Sequence, residues 1–312
     1  MVLQHQFFTP ILFLIFNRPD TTRIVFDQIR KQKPRQLFIA ADGPRLTHND
    51  DVIRCKQARA LIDTIDWPCE VQTLFRDENL GCGRAVSEAI TWFFSHVEQG
   101  IILEDDCVPD ATFFDFCTAM LERYRDDSRV MMITGLSYLL NKITSRKTYF
   151  FSRYYPVWGW ATWRRAWQLY DFELAEWSSW RPVDIIEQFF NERKIIDFWA
   201  RYFDRIVKHE IDTWDIQWTY ACIKHQAFCV VPFNNLISNI GYFGLHATGV
   251  KSFDQGLACR PIDVAHLVHP SAITVQDYFD RLIYKNMKVI PGNWVVRHIE
   301  RCRMALKARL NR

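Results

Sequence analysis

The sequence contains no apolar run long enough to cross a membrane, which takes about 20 apolar residues in a helix. Its most apolar early stretch, residues 7–16, is short, contains Pro10 and lacks a small-residue cleavage site. We therefore expect a buried strand there rather than a secretory signal, and we expect a cytoplasmic protein.

Disulfide and zinc signatures are also lacking. The nine cysteines are odd in number and scattered, with no C-x-x-C pair, which predicts reduced and buried thiols. The net charge of +3 is too small to indicate a nucleic-acid partner. The chain also has no internal repeats and no low-complexity segments.

Aromatic residues, in contrast, are abundant. Of the 312 residues, 49% are hydrophobic and 24% are charged, which is typical of a soluble globular protein with a large core. The aromatic share is 15%, and there are 12 Trp. Such a surplus suits a packed core, and it also suits a cleft in which the flat faces of sugars stack on rings.

The first hundred residues alternate between strand and helix patterns. Apolar runs predict buried strands, separated by helices, at residues 11–16, 37–41, 71–75 and 101–103. Four βα units in series predict an α/β fold with a doubly wound, mainly parallel sheet. Later patterns predict helices at residues 111–125, 184–209 and 214–225 and strands at residues 130–134 and 228–231.

Polar residues follow each of the four predicted strands. They are Asn17-Arg18, Asp42-Gly43-Pro44-Arg45, Arg76-Asp77 and Glu104-Asp105-Asp106. Ligands of open α/β sheets bind at the carboxyl ends of the strands, so we expect these side chains to share one pocket. The segment after the third strand would let a phosphate approach the next helix N-terminus; its candidate residues are Arg76, Asn79, Gly81 and Arg84.

The acidic triplet Glu104-Asp105-Asp106 is the strongest metal signal. Adjacent carboxylates repel one another unless a cation or a hydrogen-bond network holds them. Mg²⁺ and Mn²⁺ prefer oxygen ligands and often combine one or two carboxylates with phosphate oxygens. The triplet therefore predicts a divalent metal that bridges a diphosphate, and the alternative is a solvated acidic turn.

A carboxylate beside two indoles indicates a general base. Asp215 lies at a predicted helix start between Trp214 and Trp218, which would form an apolar wall beside it. A helix cap is the alternative role for Asp215, and Asp212 is the rival base. Trp158 and Trp160 flank Gly159, and we expect these four Trp residues to line an acceptor or sugar pocket, with a core turn around Gly159 as the alternative.

Six motifs together resemble a known family. They are F-N-R-P at 16–19, A-D-G-P-R at 41–45, R-D-E-N-L-G-C at 76–82, L-E-D-D-C at 103–107, W-D-I-Q-W at 214–218 and P-F-N-N-L-I-S-N-I-G at 232–241. In order and spacing they resemble a bacterial group of GT-A glycosyltransferases that is related to eukaryotic N-acetylglucosaminyltransferase I. The resemblance covers about four fifths of the chain.

The resemblance implies a GT-A (Rossmann-like) fold and an inverting transfer from a UDP-sugar. Arg18 would contact the donor phosphate or base, and Asp42 would accept the pyrimidine N–H. Glu104 and Asp105 would contact the ribose and donor sugar. Asp106 would bind the metal directly, and Asp215 would be the catalytic base.

One loop departs from the family pattern. Many relatives end the glycine-rich loop with Ala-Thr-His, whereas this chain reads G-L-H-A-T-G at 244–249. His246 therefore lies three positions earlier than expected. It is a candidate contact for the metal or the diphosphate, and a surface-loop histidine is the alternative.

We expect a GT-A catalytic domain over residues 1–250, with a nucleotide-sugar-binding half at 1–107 and an acceptor half at 108–250. A C-terminal extension, 251–312, ends in a basic amphipathic helix from about residue 294. That helix is a candidate for peripheral contact with the inner face of a membrane. The alternative is a helix packed on the domain with a solvated basic face.

The motifs predict a metal-dependent transferase, and the resemblance implies a hexosyltransferase that acts on a glycan or lipid-linked acceptor in envelope polysaccharide assembly. A sugar nucleotidyltransferase is the first alternative, although Asn17-Arg18-Pro19 is not the glycine-rich basic loop that such an enzyme needs. A non-catalytic carbohydrate-binding protein is the second. The presence of Asp42, Asp106 and Asp215 together argues against it.

Overall fold

The computed structural model describes residues 7–241 and 258–287, and all structural statements below concern these residues. The strands are β1 (Ile11–Ile15), β2 (Gln36–Ala41), β3 (Glu70–Phe75), β4 (Gln99–Glu104), β5 (Cys107–Pro109), β6 (Val130–Thr134), β7 (Tyr149–Ser152), β8 (Trp160–Trp163), β9 (Phe228–Pro232) and β10 (Ile237–Asn239). The helices are α1 (Pro19–Gln32), α2 (Asp51–Arg59), α3 (Gly81–His96), α4 (Ala111–Arg123), α5 (Arg164–Trp167), α6 (Ala175–Trp180), α7 (Val183–Phe189), α8 (Arg193–Val207), α9 (Asp215–Lys224) and α10 (Asp277–Met287). Short 3₁₀ turns cover Ala60–Thr64 and Val264–His266.

Eight strands form one sheet in the order β3-β2-β1-β4-β8-β6-β9-β7. The first four run parallel. Strand β8 runs against both of its neighbours, so β6 and β9 again follow the direction of β1, while β7 is antiparallel at the edge. Strands β5 and β10 form a separate antiparallel pair. The predicted α/β fold with a mainly parallel, Rossmann-like sheet flanked by helices is confirmed.

The buried strands have apolar residues on both faces because helices cover both sides of the sheet. All five residues of β1 are buried. Leu12 and Leu14 pack in one core with α3, α8 and α9, while Ile11 and Phe13 pack in a second core with α1 and α4. The continuous apolar run of β1 is therefore the consequence of two cores that share one sheet.

Local sequence fixes the ends of α1. Pro19 occupies the first turn, where its missing N–H costs no hydrogen bond. Lys33 closes the helix in the left-handed conformation at φ 50°, and Pro34 follows. Because α1 begins at Pro19, directly after the short segment that follows β1, Asn17 and Arg18 lie at the carboxyl end of β1.

The four early strands and the strands β6 and β9 lie where the sequence predicts them. One helical region differs from the prediction. The pattern over residues 184–209 forms two helices, α7 and α8. None of the described helices is long and apolar enough to cross a bilayer.

Candidate functional site

A cleft of about 400 Å³ lies at the carboxyl ends of the first four parallel strands. Its floor is apolar, with Leu14, Ala40, Ala85 and Val86 among its residues. The polar residues that line it are Arg18, Asp42, Arg45, Arg76, Asn79, Cys82, Glu104, Asp105 and Asp212. Parallel strands deliver these side chains to one edge, so residues far apart in sequence meet here.

The acidic triplet joins β4 to β5, and the pKa values of Glu104 and Asp105 are raised. Burial, followed by the charges of Asp106 and Asp105, raises the pKa of Glu104 to about 8. Burial also raises the pKa of Asp105 to about 6, although the charge of Arg18 acts in the opposite direction. Burial and the neighbouring carboxyl groups therefore disfavour the charged forms of Glu104 and Asp105 in the chain without a bound cation.

Arg18 is the cation that partly compensates this charge. Its Nη1 donates to Asp106 Oδ2 at 2.8 Å, and its Nη2 donates to Asp105 Oδ1. Burial alone would lower the pKa of Arg18. The charges of Asp105 and Asp106 outweigh this effect, so the pKa of Arg18 is raised above its ordinary value. The backbone N–H of Phe16 also donates to Asp105 Oδ2 at 3.3 Å. The loop after β1 and the triplet after β4 are thus joined.

The β5–β10 pair brings a third segment onto the triplet. Ile240 donates its backbone N–H to the Asp106 carbonyl at 2.8 Å, and Asn239 Nδ2 donates to Asp106 Oδ1 at 3.2 Å. Gly241 lies so close that a Cβ there would overlap Asp106 Oδ2 and lie 2.7 Å from Arg18 Nη1. Sequence reasoning missed Asn239 and Gly241 as site residues, although both lie in a motif that carried the resemblance.

Asp42 organises the loop after β3. Its carboxylate accepts the backbone N–H groups of Gly43, Leu80 and Gly81 at 3.0–3.1 Å. It also accepts Asn79 Nδ2 at 2.9 Å. The side chain after β2 therefore fixes the segment that begins α3.

Asp212 caps the other donors of that helix. Its two oxygens accept the backbone N–H groups of Cys82, at 3.0 Å, and of Gly83, at 2.8 Å. A Cβ on Gly81 or Gly83 would lie 2.6 Å from an Asp212 oxygen, so only glycine leaves room for this contact. Gly81, at φ +81°, also adopts a backbone conformation that favours glycine.

Asp51 was not singled out by sequence, yet it is a buried anchor. It accepts Nε and Nη2 of Arg45 at 2.6 and 3.0 Å and Asn17 Nδ2 at 2.6 Å. The hydrogen bonds from Arg45, followed by the one from Asn17, hold the pKa of Asp51 well below its usual range against the effect of burial. Arg45 thereby lies over the Phe16 ring, 5.4 Å from its centroid.

Arg76, after β3, and Arg84, in the first turn of α3, differ in position. Arg76 lines the cleft and pairs with Glu88 at 3.3 Å. Arg84 pairs with Glu173 at 2.8 Å on the surface and lies over the Phe172 ring. It is not among the described residues that line the cleft. The structure thus brings every predicted nucleotide-binding residue except Arg84 to the cleft.

Asp215 is the first residue of α9, and the Thr213 hydroxyl donates to its Oδ1. It does not itself line the cleft. Its charge nevertheless helps to raise the pKa of Glu104, and also those of Tyr138 and Tyr170. A residue of the second half of the chain therefore lies within electrostatic reach of the triplet.

The indoles form a core cluster rather than a pocket wall. Trp160, Trp214 and Trp218 are buried, with exposed fractions of 1%, 2% and 0%. The rings of Trp160 and Trp214 stack with centroids 5.5 Å apart, and Trp218 packs 5.7 Å from Trp160. These three have no exposed face for a sugar, which corrects the expectation of a pocket wall. Trp158 is half-buried, and its role stays a prediction.

The described residues contain no group of three or more His, Cys, Asp or Glu side chains arranged to hold a metal. His246 and the basic helix from residue 294 lie outside the described residues. The triplet nevertheless fits the chemistry of a cation such as Mg²⁺ or Mn²⁺, because its carboxylates exceed the one charge of Arg18. Such ions accept one or two carboxylates and complete their shell with phosphate oxygens.

The sequence matches no family model and no curated protein. Among solved structures, it is similar to the inositol-1-phosphate CTP transferase from T. maritima, with a TM-score of 0.41 and 8% identity over 80% of this chain and 95% of that chain. It is also similar to mouse xyloside xylosyltransferase 1 in its apo form, with a TM-score of 0.34 and 11% identity over 80% of this chain and 94% of that chain. At these values neither likeness bears on function, and the relationship to N-acetylglucosaminyltransferase I stays a hypothesis.

Proposed function

We propose that this chain is an inverting, metal-dependent glycosyltransferase that moves a sugar from a UDP-sugar onto a hydroxyl of a glycan or lipid-linked acceptor. One observation carries the proposal. Arg18, Asp42, Asn79, Glu104 and Asp105 come from four strand ends and line a single cleft, and Arg18 also donates to the neighbouring Asp106. Its volume of about 400 Å³ lies in the range of small-molecule sites.

The charges of the cleft suit a diphosphate and a cation together. Asp106 and a second carboxylate of the triplet would hold Mn²⁺ or Mg²⁺, which when bound would neutralise charge on the departing nucleoside diphosphate. Arg18 would then exchange Asp106 for an oxygen of the diphosphate, an anion that suits its planar guanidinium. Arg76 lines the same cleft and adds positive charge.

Asp215 supplies the general base in this proposal. An inverting transfer needs one carboxylate that takes the proton of the acceptor hydroxyl as its oxygen attacks the anomeric carbon. Asp215 is not among the described residues that line the cleft, but its charge reaches Glu104, which does line it. The carboxylate of Asp212 already accepts two backbone N–H groups of α3, so it is the weaker candidate.

Product analysis tests the proposal. The protein is incubated with Mn²⁺ and each of a set of nucleotide-sugars, and the released nucleotide is identified. We expect nucleoside diphosphate from a UDP-sugar, with loss of release in Asp106→Asn. Pyrophosphate formed from a sugar phosphate and a nucleoside triphosphate would instead indicate a nucleotidyltransferase, and binding without turnover of any donor would indicate a carbohydrate-binding protein.

A further inference from the structure

The carboxylate of Asp42 is already filled by donors from its own chain. Oδ1 accepts the N–H groups of Gly43 and Leu80, each at 3.0 Å. Oδ2 accepts Asn79 Nδ2 at 2.9 Å and the N–H of Gly81 at 3.1 Å. A carboxylate offers about four lone-pair positions, and four different donors take them. Little acceptor capacity remains on Asp42 for a ligand.

Asn79 is oriented by these contacts. Its Nδ2 donates to Asp42 Oδ2 and to the carbonyl of Gly43, both at 2.9 Å. Two acceptors on one amide nitrogen exclude the flipped amide, because that would place an oxygen against two oxygens. The free acceptor of the side chain is therefore Oδ1. No donor to Oδ1 is found among residues 7–241 and 258–287, and Asn79 lines the cleft.

We propose that Asn79 Oδ1 accepts the ring N–H of the nucleobase, and that Asp42 is a positioning residue that holds Asn79 and the loop. This inference rests on the proposed nucleotide-binding function. A fixed acceptor selects bases that carry a ring N–H, as uracil does. It rejects cytosine, whose nitrogen at the same ring position is an acceptor and would leave two lone pairs facing each other.

Two substitutions separate the two roles. Asn79→Ala removes the acceptor but leaves the three backbone N–H groups on Asp42. Asp42→Asn places an amide against those N–H groups and should release Leu80 and Gly81 from the loop even without a ligand. If Asp42 were itself the acceptor of the base, Asn79→Ala would leave base preference intact.

The experiment is calorimetric titration of the full chain with UDP, CDP and N3-methyl-UDP in the presence of Mn²⁺. Amide hydrogen exchange of Leu80 and Gly81 is recorded without nucleotide. Asp66→Asn, at a surface ion pair with Arg30, is the matched control for Asp42→Asn. We expect the unmodified chain to bind UDP at least about tenfold more tightly than CDP or N3-methyl-UDP.

Asn79→Ala should reduce that preference to near unity, and Asp42→Asn should increase exchange at Leu80 and Gly81. A full preference for UDP in Asn79→Ala would overturn the inference, as would loss of preference in Asp42→Asn with unchanged exchange. Equal binding of UDP and CDP by the unmodified chain would overturn the inference while leaving a nucleotide site. Absence of nucleotide binding would refute the proposed function as well. The comparison of UDP with N3-methyl-UDP needs no variant, so a variant that fails to fold does not remove the test.

Discussion

Arg18 Nη1 lies 2.8 Å from Asp106 Oδ2, and this contact joins the end of the first strand to the end of the fourth. The same guanidinium also donates to Asp105, whose side chain is only 3% exposed. One cation thus serves two of three adjacent carboxyl groups. Without a bound metal ion, the charges of Asp105 and Asp106 are therefore compensated by this arginine.

Loss of Arg18 should destabilise the protein. Arg18→Met leaves Asp105 and Asp106 without their cation in a poorly hydrated place, which should cost about 1–3 kcal/mol of unfolding free energy at pH 7.5. Urea denaturation of the metal-free protein measures this. Arg30→Met is the control, because Arg30 and Asp66 form an exposed pair whose loss should change stability much less. Equal losses in both variants would contradict the role given to Arg18.

Glu104 should make stability depend on pH. Its pKa is raised from 4.5 to about 8 in the folded protein. Between these two values the folded chain holds a proton that the unfolded chain has released, so the contribution of Glu104 to stability decreases as pH rises. Gln does not ionise, so Glu104→Gln removes this decrease in stability at high pH. Relative to the unmodified chain, the variant should gain about 2 kcal/mol more unfolding free energy at pH 8.5 than at pH 5.

The measurement for Glu104 is urea unfolding at both pH values in the presence of a chelator. Glu122→Gln, at an exposed pair with Arg125, serves as the control and should show the same pH dependence as the unmodified chain. If Glu104→Gln also followed the unmodified chain at both pH values, the proposed effect of burial on the charge of Glu104 would be wrong.

Substitution of Asp212 should lower the stability of the protein, whereas substitution of Asp215 should lower its turnover rate. Asp212→Ala removes the acceptor of the Cys82 and Gly83 N–H groups at the start of α3 and should cost about 1 kcal/mol of stability. Asp215→Asn should instead lower turnover by about 100-fold or more, because a proton acceptor is lost. Thermal unfolding and steady-state rates of both variants provide the comparison. Near-normal turnover of Asp215→Asn would remove it as the base.

Cys82 offers a chemical probe of the cleft. It is exposed and lines the cleft, and desolvation there, followed by the charges of Glu104 and Asp215, raises the pKa of its thiol. Alkylation should therefore be slow at neutral pH and accelerate as pH rises. UDP with Mn²⁺ should slow it further at Cys82 but not at half-buried Cys259, as mass spectrometry of labelled peptides can show. Unchanged labelling of Cys82 with bound nucleotide would place the ligand elsewhere.

Sequence reasoning predicts what depends on local pattern. Five buried apolar residues in β1 and a following Asn17-Arg18 are sufficient to predict a strand and a polar strand end. The convergence of Arg18, Asp42 and Glu104 follows from the rule for parallel sheets, without knowledge of any side-chain contact.

Contacts between distant segments are not predictable in this way. Asp51 looks like an ordinary residue of a helix start, and only the folded chain brings its carboxylate to Asn17 and Arg45. Gly241 reaches Asp106 because β10 pairs with β5. The indoles of Trp160 and Trp214 stack on each other in the core, and an aromatic-rich sequence does not distinguish that packing from a sugar platform.

The central claim is that the strand ends form one pocket for a cation and two phosphates. The most direct measurement is calorimetric titration of the full chain with UDP in Mn²⁺ and again in a chelator, with uridine as the ligand without phosphates. We expect Mn²⁺ to tighten UDP binding at least about tenfold, an effect that Asp106→Asn abolishes and uridine does not show. UDP affinity that is the same with Mn²⁺ and with chelator would contradict the claim.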